Sequence, residues 1–157
     1  MVRMNTAIEL LKEHPFTKSL WPEHLARLAD MASKVHFRSG ELIFHEGDHS
    51  SFFYLLTSGR VALEVVDPGR PVRVATLYGG DVLGWSSLTT SDDKQFQARA
   101  LEEVQALAFD GTRLRHACEE DYAFGFFVER SALSVLSERL HSIRAQLLEM
   151  YRPVEVA

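Results

Sequence analysis

The chain has 157 residues, of which 46% are hydrophobic and 25% charged, and a formal net charge of −5. This is soluble, globular composition, long enough to bury a core without disulfides or metals, and the acidic balance argues against non-specific binding to a phosphate backbone. The single cysteine, Cys118, excludes an intramolecular disulfide. No apolar leader or stretch of roughly 20 apolar residues is present, so a cytoplasmic protein with no membrane association is expected.

In chain order, the pattern predicts three zones within one domain spanning residues 1–157. Residues 1–34 read as helical. Asn5 or Thr6 can cap a short helix carrying Ile8, Leu10 and Leu11, and Pro15 stops it. Pro22 and Glu23 suit the first turn of a second helix, along which Leu25, Leu28 and Ala32 recur at helical spacing.

Residues 35–110 change character. Short apolar runs at 42–45, 52–57, 60–66, 72–77, 81–83, 98–101 and 104–110 are separated by glycine-bearing turns such as Glu46-Gly47-Asp48, Ser58-Gly59, Pro68-Gly69 and Gly79-Gly80. Many short strands at near-regular spacing predict an antiparallel sandwich or barrel. A polar run from Thr89 to Gln95 reads as a loop on it.

Residues 111–151 are helical again. Asp110 can cap a short helix to about Cys118, and a long helix follows from about Tyr122 to Tyr151. Leu133, Leu136, Leu140, Ile143, Leu147 and Met150 alternate steps of three and four along it, a heptad seam. The seam could pack as core against the barrel or form a dimer contact; its register outruns what a small barrel covers, so a homodimer is expected.

The middle zone resembles the cyclic-nucleotide-binding domain family, which includes the bacterial catabolite activator protein and regulatory subunits of cyclic-nucleotide-dependent kinases. The resemblance rests on three runs in order: Phe37-Arg38-Ser39-Gly40-Glu41-Leu42-Ile43-Phe44-His45-Glu46-Gly47-Asp48, then Phe53-Tyr54-Leu55-Leu56-Thr57-Ser58-Gly59-Arg60-Val61, then Leu77-Tyr78-Gly79-Gly80-Asp81-Val82-Leu83-Gly84. It implies a mainly β fold: a double-stranded, jelly-roll-like antiparallel β-roll with flanking helices and a long C-terminal helix.

The resemblance also implies a ligand cassette, in which helix-start amides and an Arg hold the cyclic phosphate and a Glu holds the ribose. The matching positions are Gly84, Trp85, Ser86 and Ser87, then Lys94, Gln95 and Phe96 in the following loop. Gly84 is retained, but Trp85 stands at the Glu position and Lys94 at the Arg position. Lysine cannot fork onto two phosphate oxygens, tryptophan cannot accept the ribose hydrogen bond, and Asp92 and Asp93 oppose an anion. Weak binding of cAMP and cGMP follows. The alternatives are another small ligand, such as an anion or a flat aromatic stacking on Trp85, or a pocket plugged by Trp85 in a protein-interaction scaffold.

Other constellations point to no chemistry. His45 and His49 flank a turn and read as surface residues, not metal ligands. His116 and Cys118 point apart on a helix, and Ser86 and Ser87 read as helix caps, not nucleophiles. No catalytic residue or metal site is expected. The regulatory relatives that bind DNA carry a winged helix-turn-helix after the long helix. Only residues 152–157 follow it here, so direct DNA binding is not expected. The reading is a dimeric regulatory or sensory module, not an enzyme, acting through another regulatory protein or through ligand binding.

Overall fold

The computed structural model describes residues 6–49, 52–88 and 93–153. Helix α1 (Ala7–Glu13) is capped by Thr6: its hydroxyl accepts the Glu9 amide while the Glu9 carboxylate accepts the Thr6 amide. This capping box satisfies two amides that the first turn leaves open. The alternative cap, Asn5, lies outside the described residues. Pro15 ends α1 and also opens a 3-10 turn, Pro15–Thr17. Helix α2 (Pro22–Met31) starts on Pro22, whose missing N–H is no loss there.

The helical zone ends earlier than its pattern suggests, because Ser33 to Phe37 form a strand. Among the described residues there are eight strands: β1 (Ser33–Phe37), β2 (Leu42–Phe44), β3 (Phe52–Ser58), β4 (Arg60–Asp67), β5 (Arg70–Tyr78), β6 (Val82–Leu83), β7 (Gln97–Ala100) and β8 (Val104–Asp110). They pair antiparallel in two four-stranded sheets, ordered β1-β8-β3-β6 and β2-β7-β4-β5. This is the β-roll. Strand β1 partly escaped the pattern because polar residues alternate with its two apolar ones, as an edge strand's do.

Strands β3 and β8 carry apolar runs, Phe53 to Leu56 and Ala106 to Phe109, because both of their faces are covered there. Tyr54, Leu56, Ala106 and Ala108 point between the sheets, where they meet Val61, Leu63, Leu77, Leu83 and Ala98. Phe53, Leu55, Leu107 and Phe109 point outward into a second cluster made with Leu11, Leu28, Leu114, Phe124 and Val128. The helices supply that second cluster. Helix α3 (Gly111–Glu120) is capped by Asp110, which accepts the Arg113 amide at 3.0 Å. Helix α4 (Tyr122–Tyr151) is capped by Asp121, which accepts the Ala123 and Phe124 amides at 3.1 and 3.2 Å.

Helix α4 has two unlike faces. Phe124, Val128 and Ser131 are buried, with Ala132, Val135 and Arg139 half-buried beside them on the roll. The flank of α4 beside that packed face carries the seam. Leu133 and Leu140 are 67% and 68% exposed, Leu147 and Met150 are exposed, Ile143 is 39% exposed, and Leu136 is half-buried. Phe126, seven residues before Leu133, extends this apolar stripe by one heptad and is also exposed.

Candidate functional site

Strand β6 runs into Gly84, whose φ of +78° is open to glycine and strained for other residues. A Cβ there would overlap the Phe52 carbonyl oxygen and come within 3.0 Å of Lys94 Nζ. The chain then makes a short 3-10 turn, Trp85–Leu88. Ser86 and Ser87 lie inside this turn and do not cap a helix. The Ser87 hydroxyl donates to the Gly84 carbonyl at 2.9 Å, tightening the turn instead of accepting its amides. Ser87 also packs on the start of α3, where Gly111 leaves room that any Cβ would fill.

Lys94 arrives from the far side of the roll. Its amide donates to the Asp48 carbonyl and its own carbonyl accepts the Gly47 amide, both at 2.8 Å, which pins it to the turn between β2 and β3. Its side chain is only 4% exposed. The ammonium donates to the Phe52 carbonyl at 3.3 Å and sits 4.7 Å from the centre of the Phe44 ring. Burial pushes its pKa down to about 8, against the opposing pull of the Asp48 carboxylate.

The structure therefore brings Gly84, Trp85, Ser86, Lys94, Gln95 and Phe96 around one small cavity, with Ser87 outside its lining. The space left measures about 20 Å³, room for roughly one water molecule. Trp85 is half-buried and packs against the helical cluster, so its ring only partly lines the cavity. Asp93 is exposed and pairs with His49 at 3.8 Å. Asp92 lies outside the described residues.

Phe44, Leu63, Leu83 and Arg139 also line the cavity, and the sequence reading did not place them there. Arg139 comes from α4, whose guanidinium donates to the Val82 carbonyl at 2.6 Å. Burial lowers its pKa, and Asp81 opposes the shift. The available signal was its position: it is a cation on α4 outside the seam.

The family model described as "Cyclic nucleotide-binding domain" matches residues 34–121. The chain belongs to the cyclic nucleotide-binding domain family. A cAMP-dependent protein kinase regulatory subunit from Emericella nidulans is 34% identical over 95 residues, covering 60% of this chain and 23% of the relative. The Cyclic AMP receptor protein of Thermus thermophilus is 29% identical over 99 residues, 62% of this chain and 46% of the relative. The chain thus spans less than half the length of either. Among solved structures, a putative cyclic nucleotide-binding protein from Geobacter metallireducens GS-15 superposes with a TM-score of 0.77 at 28% identity, over 88% of this chain and 100% of that one. The family is generally regulatory and its hallmark ligand is a cyclic nucleotide.

The remaining candidates from the sequence lie apart from the cassette. His45 is exposed, the His49 side chain is 88% exposed, and no metal-binding cluster of His, Cys, Asp or Glu occurs among the described residues. The Cys118 thiol is half-buried and burial raises its pKa to about 11, leaving it unreactive as a nucleophile. No helix among the described residues is long and apolar enough to cross a membrane.

Proposed function

We propose that this chain is a dimeric regulatory module of the cyclic nucleotide-binding family whose cassette is closed by its own Lys94. The observation that carries this reading is the Lys94 ammonium, buried beside Gly84 and held by the Phe52 carbonyl and the Phe44 ring. A cation on the protein occupies the head of the cassette, and a space of about 20 Å³ is too small for a nucleotide. The module therefore acts on other proteins without requiring a bound cyclic nucleotide, and it performs no catalysis of its own.

Dimerisation is assigned to the exposed stripe of α4. Leu133, Leu136, Leu140, Ile143, Leu147 and Met150 form an apolar stripe along the flank of α4 beside its roll-packed face, and burying that stripe against a second copy removes it from water.

A second reading keeps the sensor. Lys94 and Arg139 both line the cassette, so a small anion displacing the Lys94 contacts would meet two cations. Titrating cAMP and cGMP while following tryptophan fluorescence separates the two. The wild type should show no saturable change below millimolar ligand, and a Trp85→Glu, Lys94→Arg double variant should gain binding. Wild-type affinity in the micromolar range or better would overturn the closed-cassette reading.

A further inference from the structure

We propose that the small cavity of the cassette binds one halide ion, the counter-ion of the Lys94 ammonium and the Arg139 guanidinium. The proposal rests on the closed-cassette reading and deepens it: the ion adds to the contacts that hold Lys94 and does not displace them.

Both cations are short of negative charge. Lys94 is 4% exposed, yet its ammonium meets only one carbonyl oxygen, that of Phe52 at 3.3 Å, and the face of the Phe44 ring. An ammonium has three N–H donors and a guanidinium five. The half-buried Arg139 guanidinium donates to one carbonyl oxygen, that of Val82 at 2.6 Å. Among the described residues no carboxylate lies within ion-pair distance of either cation. Asp48 attracts Lys94 and Asp81 attracts Arg139 from farther off, and each also accepts a backbone amide, from His45 at 2.8 Å and from Tyr78 at 2.7 Å. Burial outweighs both attractions and lowers both pKa values. Charges taken out of water are ordinarily paired, because desolvation costs more than a neutral partner returns.

The two cations come from different parts of the chain and meet at one cavity. Lys94 is the second residue before β7 and Arg139 lies in the middle of α4. The Lys94 ammonium sits beside Gly84 and over Phe44, and these two residues line the cavity together with Lys94 and Arg139. No acidic residue lines it. Two positive charges in a small, mostly apolar space are screened poorly, so their attraction for an anion is stronger than it would be in water.

Size selects the anion. The space measures about 20 Å³, room for roughly one water molecule. A chloride or bromide ion is close to that size. Phosphate, sulfate and a nucleotide are several times larger and would have to expel Lys94. Gln95 lines the cavity and is exposed, which gives a small ion a way in from solvent.

The ion has a consequence for the cassette. It needs Lys94 inside the roll and Arg139 on the Val82 carbonyl, so it binds the closed arrangement alone and favours it by mass action. A halide thus acts as a pin that ties the loop before β7 to α4.

Urea unfolding at pH 7 and constant ionic strength, with chloride exchanged for gluconate, reads the ion through the stability it adds. Chloride should stabilise the wild type saturably, lowering the unfolding constant about elevenfold at ten times its dissociation constant. Lys94→Met and Arg139→Gln should each bring that factor close to one, and phosphate in place of chloride should give none. Crystals of the wild-type chain grown in bromide should show an anomalous peak in the cavity beside Gly84, Lys94 and Arg139, a readout independent of any variant's folding. A cavity that holds only water in bromide, or a chloride factor unchanged in Lys94→Met, would overturn the proposal. An empty bromide map together with no nucleotide binding strikes the ion alone, whereas micromolar binding of cAMP strikes the closed-cassette reading, so the two fail separately.

Discussion

Gly84 carries two constraints at once, a left-handed φ and contact with the Phe52 carbonyl and Lys94. Gly84→Ala is therefore expected to cost about 2–3 kcal/mol in urea unfolding. Lys94 gives a signed pH dependence. Its folded pKa lies near 8 against an ordinary 10.5. Below the folded value both native and unfolded chains hold the proton and the burial penalty is complete. Between the two values the unfolded chain binds the extra proton, so stability rises with pH. Wild type should gain on Lys94→Met in urea unfolding from about pH 7.5 to 9.5; a gap that stays flat would mean that the ammonium is solvated. His14 gives a second signed dependence. Its Nδ1 accepts the Phe16 amide at 3.1 Å and its Nε2 meets the Leu56 carbonyl at 3.0 Å, an arrangement for the neutral ring. Burial lowers its pKa below 6.5, so its contribution is lost as pH falls from 6.5 through the folded value, and His14→Asn should flatten that acid limb. That Gly84 and Lys94 line one cavity was legible, Gly84 from the run Leu77–Gly84 and Lys94 from its spacing to the strand residues Ala98-Arg99-Ala100. Arg139 and Phe44 were not, since tertiary contacts across the roll bring them in.

At the scale of elements, α4 was legible because its seam keeps a helical period from Leu133 to Met150 and Asp121 and Arg152 flank the helix as its caps. Strand β1 was legible only in part: Val35 to Phe37 fall in the strand zone, but Ser33 and Lys34 are polar and read as the end of the helical zone. The seam yields the sharpest element-scale test. Leu140 is 68% exposed in the protomer, so a charge there should leave the fold intact. Leu140→Glu is expected to raise the dimer dissociation constant at least a hundredfold, about 3 kcal/mol, by placing an unpaired charge in the interface. Sedimentation velocity should then report a folded monomer. A variant that stays dimeric would move the interface off this stripe.

Across the whole molecule, the sheet of β1, β8, β3 and β6 is covered on both faces, and helices from the two ends of the chain share its outer face. Phe124 is fully buried where α4 meets the α2 and α3 residues of that cluster. Phe124→Ala should cost about 3–5 kcal/mol of unfolding free energy. The β-roll was legible because turn residues recur between runs of strand length. The state of the cassette was not, because whether Lys94 points into the roll or out to solvent depends on its pinning to Gly47 and Asp48. Native mass spectrometry of the purified chain addresses that state and the assembly together. The account predicts a dimer mass with no small-molecule adduct, unchanged after incubation with cAMP or cGMP at tens of micromolar. A dimer carrying one nucleotide per protomer, or a stable monomer, would contradict it.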